Sequence, residues 1–240
     1  MDFRIKGFLS TSLVDWPGKI SSVIFLAGCG FRCLACHNYR LVTDADSLED
    51  YPLEEILHAL RRRKRWIDGV TVTGGEPTVS KGLPRLLQLL KDCGVRTKLD
   101  TNGSNPGMLV RLIESRLVDA VYMDVKAPLE SERYSIVAGI PVNPVVIQRS
   151  IRILKGSGLE VAFRTTVIPG LVEEPELTRI VQTLGKVDRF IVQPFRNTDT
   201  LSPRLRKTKE FSPDRVEAMK TTFGIPSESS LRPDRFAATG

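Results

Sequence analysis

Ser22-Val23-Ile24-Phe25-Leu26-Ala27-Gly28-Cys29-Gly30-Phe31-Arg32-Cys33-Leu34-Ala35-Cys36 carries an apolar, partly β-branched run straight into three cysteines. Such a run, bounded by glycine, predicts a buried strand over Ser22–Ala27. The cysteines follow at C-x3-C-x2-C, and three thiolates at that spacing can hold three irons of a [4Fe–4S] cluster while the fourth iron keeps a free coordination position. Zinc fits less well, because a structural site takes four ligands. The remaining candidates are His37, adjacent to Cys36, and the distant Cys93. Cys93 ends an apolar helical run before Gly94 and reads as a small buried hydrophobe. A disulfide framework belongs to small secreted chains, and this chain has 240 residues with four cysteines.

Outward from the first strand, the same alternation recurs. Strand patterns cover Gly69–Thr73, Arg96–Asp100, Ala120–Asp124, Glu160–Val167 and Arg189–Gln193. Helical patterns separate them. Leu53, Ile56, Leu57 and Leu60 share one helix face, as do Leu83, Leu86, Leu87 and Leu90, with looser repeats at Leu109–Ile113, Ile147–Leu154 and Leu177–Leu184. Pro52, Pro84, Pro106, Pro144 and Pro175 fall near predicted helix starts, where a missing N–H costs nothing. Gly94, Gly156 and Gly185 fall where the helices should end. Regular β–α alternation implies a parallel sheet covered by helices. Six units are too few to close a barrel of eight, so the expected fold is α/β, a partial (β/α)6 TIM-like open barrel with the cluster loop after the first strand. Residues 1–200 are expected to form this barrel. Residues 201–240 are expected to form a C-terminal extension with a short helix near Pro213–Thr222 and a mobile tail over Ser227–Gly240.

Strand ends then predict the site, because chemistry in such folds collects at the carboxyl ends of strands. The loop of Cys29, Gly74-Gly75-Glu76-Pro77, Thr101-Asn102-Gly103, Asp124-Val125-Lys126, Ile168-Pro169-Gly170 and Gln193-Pro194 all fall on that rim. Two adjacent glycines let backbone carbonyls approach a ligand closely, although an ordinary turn explains the pair equally well when taken alone.

Composition narrows the partners. Lysine and arginine number 35 against 28 acids, giving a formal charge of +7. The basic run Arg61–Arg65 closes a predicted helix, where cations complement the dipole, and Arg204–Lys209 could dock an acidic surface. No nucleic-acid module accompanies either run, so nucleic acid is not the expected partner. No stretch has the roughly 18–20 consecutive apolar residues of a membrane span, and the opening MDFRIKGFLSTSLVDWPG lacks a signal-peptide core. A cytoplasmic setting, which keeps thiols reduced, is expected.

The cysteine loop followed by Gly74-Gly75-Glu76-Pro77 resembles the radical S-adenosylmethionine (SAM) superfamily. Within it, TSLVDWPGKISSVIFLAGCGFRCLACHN (11–38), TGGEPT (73–78), KLDTNGS (98–104) and MDVKAP (123–128) resemble the glycyl-radical activating enzymes. The longer-form activating proteins of anaerobic ribonucleoside-triphosphate reductase are the most similar group. The resemblance implies that Cys29, Cys33 and Cys36 ligate the cluster and that SAM chelates the open iron. It also implies that the backbone of Gly74, Gly75, Glu76 and Pro77 meets the SAM amine, and that Lys126 faces the SAM carboxylate. Asp100, Thr101, Asn102 and Asp124 would surround the carboxylate and ribose, the acids also able to hold a monovalent cation. A plain Asp–Lys salt bridge is the alternative for Asp124 and Lys126. Arg164, inside a strand, must meet an anion. Val167-Ile168-Pro169-Gly170 would give adenine an apolar and backbone contact or else form a plain strand end with a turn, and Gln193 would meet the nucleoside or an internal partner. The residue before the third cysteine is commonly aromatic in this superfamily and here is Ala35.

The implied reaction begins with one electron from an external reductant, flavodoxin- or ferredoxin-like. Cleavage of SAM then gives methionine and a 5′-deoxyadenosyl radical, the hard chemistry being the cofactor's. The implied substrate is a protein, the glycine loop of a glycyl-radical enzyme such as an anaerobic ribonucleotide reductase. Modification of a nucleobase precursor or RNA is the alternative, and a non-enzymatic zinc-binding module a third.

Overall fold

The computed structural model describes residues 2–223. Its sheet has seven strands in sequential order. The elements along the chain are β1 (Ile5–Ser12), β2 (Ser21–Leu26), α1 (Tyr39–Thr43), α2 (Leu53–Arg63), β3 (Gly69–Gly74), α3 (Leu83–Asp92), β4 (Arg96–Thr101), α4 (Pro106–Glu114), β5 (Ala120–Asp124), α5 (Ser131–Ala138), α6 (Pro144–Lys155), β6 (Glu160–Val167), α7 (Glu174–Leu184), β7 (Phe190–Pro194) and α8 (Pro213–Thr222). Strands β2 to β7 run parallel, and β1 and β7 are the two unpaired edges of an open sheet.

The six expected strands are present within a residue or two. A seventh, β1, corrects the expectation: it pairs antiparallel with β2, so the cysteine loop follows the second strand of the chain, which is the first of the parallel set. Strand β1 hides in the sequence because Gly7 interrupts it, Ser10-Thr11-Ser12 ends it, and its face is only half buried. Helix α5 is also absent from the pattern, since SERYSIVA has no clean apolar stripe. The expected tail at Ser227–Gly240 lies outside the described residues, whereas the segment Pro213–Thr222 is helical.

Two cores hold the barrel. Strand β5, Ala120-Val121-Tyr122-Met123-Asp124, sends alternate residues to opposite faces. Val121 and Met123 join the large outer core under the helices, while Ala120 and Tyr122 join Trp16, Ala162 and Ile191 inside the barrel. Helix α3 buries Leu83, Leu86, Leu87 and Leu90 completely. Full burial of a leucine contributes about 1.5–3 kcal/mol, so packing outweighs helix propensity here. Pro84, Pro106, Pro144 and Pro175 occupy first-turn positions as expected, and Pro52 is the N-cap of α2. Among the described residues no helix is long and apolar enough to cross a membrane.

The interior core has a floor. Trp16 is fully buried, donates from Nε1 to Glu160 at 2.9 Å, and lies under Lys19 and Arg96 at 4.9 and 5.4 Å from its ring. Truncating it removes the floor and one donor to Glu160. We predict that Trp16→Ala lowers unfolding free energy by about 3–5 kcal/mol in urea titration. A loss below about 1 kcal/mol would contradict this packing role.

Candidate functional site

A cleft at the carboxyl ends of the strands is lined by Cys29, Cys33, Cys36, Gly74, Gly75, Glu76, Asp100, Thr101, Asn102, Asp124, Lys126, Arg164, Ile168 and Gln193, among others, and has an empty volume of about 1200 Å³. Of the residues predicted to meet the cluster or SAM, Pro77, Val167, Pro169 and Gly170 do not line it and the others do. Pro77 instead is buried and opens a short 3-10 turn behind the rim.

The cysteine loop is pinned by backbone hydrogen bonds to four separate parts of the chain. Ala27 N–H donates to Arg4, Gly28 to Leu41, Arg32 to Ala138 and Leu34 to Val137. From the far end of the sequence, Leu201 N–H donates to Cys36 and Ser202 to Leu34. The boundary expected after residue 200 is therefore crossed by bonds that hold the loop. Gly139, at the end of α5 with φ 68°, lies where an added Cβ would meet Arg32 O at 2.0 Å, so only glycine admits this close contact. The β3 turn is equally tight: a Cβ on Gly75 would meet Gly28 O at 2.0 Å. The glycine pair thus brings the β3 turn against the cysteine loop.

Burial raises the Cys29 thiol to about 11, with the Phe31 N–H opposing. It raises Cys33 and Cys36 as well, with the Lys126 charge opposing. Neutral thiols on one wall need a metal to become thiolates. No group of His, Cys, Asp and Glu among the described residues is arranged to hold a single metal ion. Three sulfurs spread along one loop suit a polynuclear cluster, in which each sulfur takes a different iron. The donor set therefore fits the iron–sulfur group.

Opposite the thiols, four links join five charged side chains. Lys98 donates to Asp100 Oδ1, Arg164 Nη1 to Asp100 Oδ2 at 3.1 Å, Arg164 Nε to Asp124 Oδ1 at 2.7 Å, and Lys126 Nζ to Asp124 Oδ2 at 2.9 Å. Burial opposes ionisation of Lys98, Asp124, Lys126 and Arg164. The Arg164 and Lys126 charges nevertheless hold Asp124 well below the usual carboxylate range, and Asp100 and Asp124 hold Arg164 above its own. Lys126 is raised by Asp124 against its burial, and its backbone N–H donates to the buried Tyr134 hydroxyl at 3.3 Å.

The side chain of Glu76 has a structural role of its own, beside the backbone contact that its motif implies. Its carboxylate is buried and accepts from Thr78 N–H and hydroxyl at 3.1 and 2.5 Å, the Thr101 hydroxyl at 2.7 Å and Asn102 N–H at 2.6 Å. It ties the end of β3 to the end of β4, leaving only its backbone for a ligand. Thr101 is correspondingly committed, since its hydroxyl also accepts from Gly103 N–H at 3.1 Å. The hard oxygens of Thr101, Asp100 and Asp124, expected to be able to hold a cation, each have an internal hydrogen-bond partner. Asn102 reaches Cys29 Sγ at 3.7 Å, and Asn38 donates to Gly74 O at 2.9 Å. Val167 and Ile168 are buried, and the Gln193 side chain, on a residue paired with Thr166 in the β6–β7 ladder, lines the cleft. Lys98 and Tyr134 are the residues that sequence reasoning missed. Strand parity could have found Lys98, two residues before Asp100 and hence on the same face.

Comparison with known proteins agrees with this geometry. Residues 23–179 match the Radical SAM superfamily. A Methanocaldococcus jannaschii protein provisionally named as a glycyl-radical enzyme activating enzyme is 28% identical over 211 residues, covering 86% of each chain. The pyruvate formate-lyase-activating enzyme of Clostridium pasteurianum is 30% identical over 201 residues, covering 80% of this chain and 82% of the other. Among solved structures, Streptococcus suis SuiB bound to S-adenosylmethionine has a TM-score of 0.63 at 17% identity, which speaks to fold alone. That match covers 82% of this chain and 44% of SuiB, so the chain spans less than half of that protein's length. The chain belongs to the radical SAM superfamily and, within it, to the glycyl-radical activating enzymes. Membership carries with it a [4Fe–4S] cluster, as the cysteine spacing led one to expect, and SAM, as the resemblance implied.

The charge ladder fixes a sign for acid unfolding. Asp124 has its pKa lowered on folding, so its stabilisation is complete above the unfolded carboxylate value near ~3.9 and is lost as pH falls from there toward the folded value. We predict that urea midpoints of wild type and Asp124→Asn differ most above pH 5, and that the gap narrows below about pH 4. A gap that stays constant to pH 2.5 would contradict the assignment.

Proposed function

We propose that this chain installs a glycyl radical on an anaerobic ribonucleotide reductase by abstracting hydrogen from a backbone glycine. The observation that carries the proposal is one cleft in which three thiols face a cationic ladder, in a chain related along most of its length to glycyl-radical activators. The choice of a reductase rests on the segments 11–38, 73–78, 98–104 and 123–128 quoted above.

In this reading Cys29, Cys33 and Cys36 hold the cluster and leave one iron open to the amino and carboxylate groups of SAM. When bound, the two groups supply a one-electron reductive cleavage that ends in methionine, 5′-deoxyadenosine and a radical on a glycine Cα, the electron coming from a flavodoxin- or ferredoxin-like donor. The chain's own residues bind, orient and shield. Lys126 and Arg164 attract the SAM carboxylate, and the Gly74 and Gly75 carbonyls accept from the amine. Ile168 offers an apolar contact to adenine, and Gln193 a polar contact to the nucleoside. Asn102 and Asn38 orient the cysteine loop and the β3 turn.

The unpaired edges β1 and β7 leave the sheet open, which suits entry of a loop from another protein. The 201–202 segment serves as a strap on the cysteine loop, so we read residues 1–200 as the barrel and the extension as its clamp. Reduced thiols call for a reducing setting, in keeping with a cytoplasmic protein.

Anaerobic iron reconstitution should give a brown protein absorbing near about 400 nm. Reduced with SAM, it should form 5′-deoxyadenosine, and Cys33→Ala should form none. Adding the reductase should give a glycine-centred EPR doublet on that partner. A modified nucleoside or RNA base instead would overturn the protein target, and absence of 5′-deoxyadenosine would overturn the whole reading. Lys126→Met should weaken SAM binding about 10- to 100-fold, the effect of losing one charge-assisted hydrogen bond. Calorimetry on the reconstituted protein measures it, and an unchanged affinity would remove Lys126 from the site.

A further inference from the structure

Lys98 is 0% exposed in its side chain and sits deep in the barrel, yet it carries an ammonium group. In the parallel register it lies between Thr71 on β3 and Ala120 on β5, and the small Ala120 gives the long side chain room. Its Nζ meets Asp100 and stands 4.1 Å from the centre of the Tyr122 ring. Burial draws Lys98 below the ordinary lysine range, with the Arg164 charge adding to that pull and Asp100 opposing it. The carboxylate contact and the ring face both favour the ammonium form. A methionine would fill the same space without desolvating a charge, so packing alone does not account for a lysine here.

The charge count supplies the reason. Lys98, Asp100, Arg164, Asp124 and Lys126 alternate in sign, with one cationic donor on each carboxylate oxygen. Three cations against two anions leave one surplus positive charge. The accessible end of the ladder is Lys126, whose side chain is 24% exposed and lines the cleft. Without Lys98 the ladder would be neutral, and Arg164 would be shared by two acids with no other cation on Asp100. Without Lys98, Asp100 Oδ1 would be open to a free metal ion, which could restore the charge; with Lys98 present that oxygen already has a cationic partner.

We propose that Lys98 is a built-in counter-ion for Asp100, so that this chain holds the SAM carboxylate without a free sodium or potassium ion. It acts as a positioning residue through Asp100 and Arg164. The proposal rests on the reading of the cleft as a SAM site.

The test is SAM affinity of the reconstituted protein, by calorimetry, in sodium, potassium or tetramethylammonium buffers. Wild type should bind within about twofold in all three. Lys98→Met should bind about tenfold more weakly in tetramethylammonium and recover in part with sodium or potassium, the scale of one lost charge contact. The double variant Lys98→Met with Asp100→Asn returns the count to one surplus positive charge, so it should bind within a few-fold of wild type in every salt. A wild type that needs sodium or potassium, a single variant that matches wild type, or a double variant as weak as the single would each overturn the proposal. Should Lys98→Met fail to fold, the double variant decides the matter alone.

Urea midpoints of the metal-free proteins in the same three salts provide a readout that does not depend on SAM. Sodium or potassium should raise the midpoint of Lys98→Met and leave wild type unchanged. If wild type bound no SAM, the functional reading would fall, while the midpoints would still decide whether Lys98 replaces a cation.

Discussion

Arg164 is the hinge of the site's electrostatics. The carboxylates of Asp100 and Asp124 stand at the ends of β4 and β5, where both accept from one guanidinium. The guanidinium bridges them through different nitrogens, a geometry that a lysine could not supply. From that bridge the rest follows. Lys98 and Lys126 complete the outer oxygens, and the cluster of charges faces the cleft with its one exposed cation. Losing one member of such a buried network leaves its neighbours uncompensated, which costs more than the net worth of the pair.

The thiol wall opposite depends on backbone, not side-chain, contacts. A loop of three cysteines cannot fold on itself before metal arrives, so its shape is borrowed from the elements around it. The N-terminal segment before β1, the end of α5 and the segment after β7 each donate or accept hydrogen bonds to it. Gly75 and Gly139 make those approaches possible by lacking a Cβ. Glu76, a motif residue, belongs to the same framework: it braces β3 against β4 and leaves the ligand to neighbouring backbone.

Much of this was legible from the residues, and the gaps have physical causes. The strand Ala120–Asp124 was read to the residue because its apolar run lies between Asp119 and Asp124, and Glu160–Val167 because Gly158 and Pro169-Gly170 flank a β-branched stretch. Strand β1 was not, because an edge strand with one half-exposed face and a central Gly7 has little periodicity to detect. Motif spacing brought Cys29, Gly75, Asp124 and Lys126 to one rim, since strand ends share an edge of the sheet. It allowed for an Asp124–Lys126 salt bridge but did not reveal that Lys98 would take an Asp100 oxygen or that the Thr101 hydroxyl would brace Glu76, although Lys98 opens the segment 98–104, because the motif gave Lys98 no role. The reach of residues 201–202 back to the cysteines was also hidden, since a backbone contact across 165 positions leaves no local signature.

The central claim is that three sulfurs leave one iron open and that SAM, drawn by the cationic ladder, fills it. Electron–nuclear double resonance on the reduced cluster with SAM labelled with ¹⁵N at its amino group tests this at the iron itself. The account predicts a nitrogen coupling that appears with labelled SAM and is lost when Cys33 is replaced. A reduced cluster that shows no such coupling, or one already ligated by four protein side chains, would contradict it.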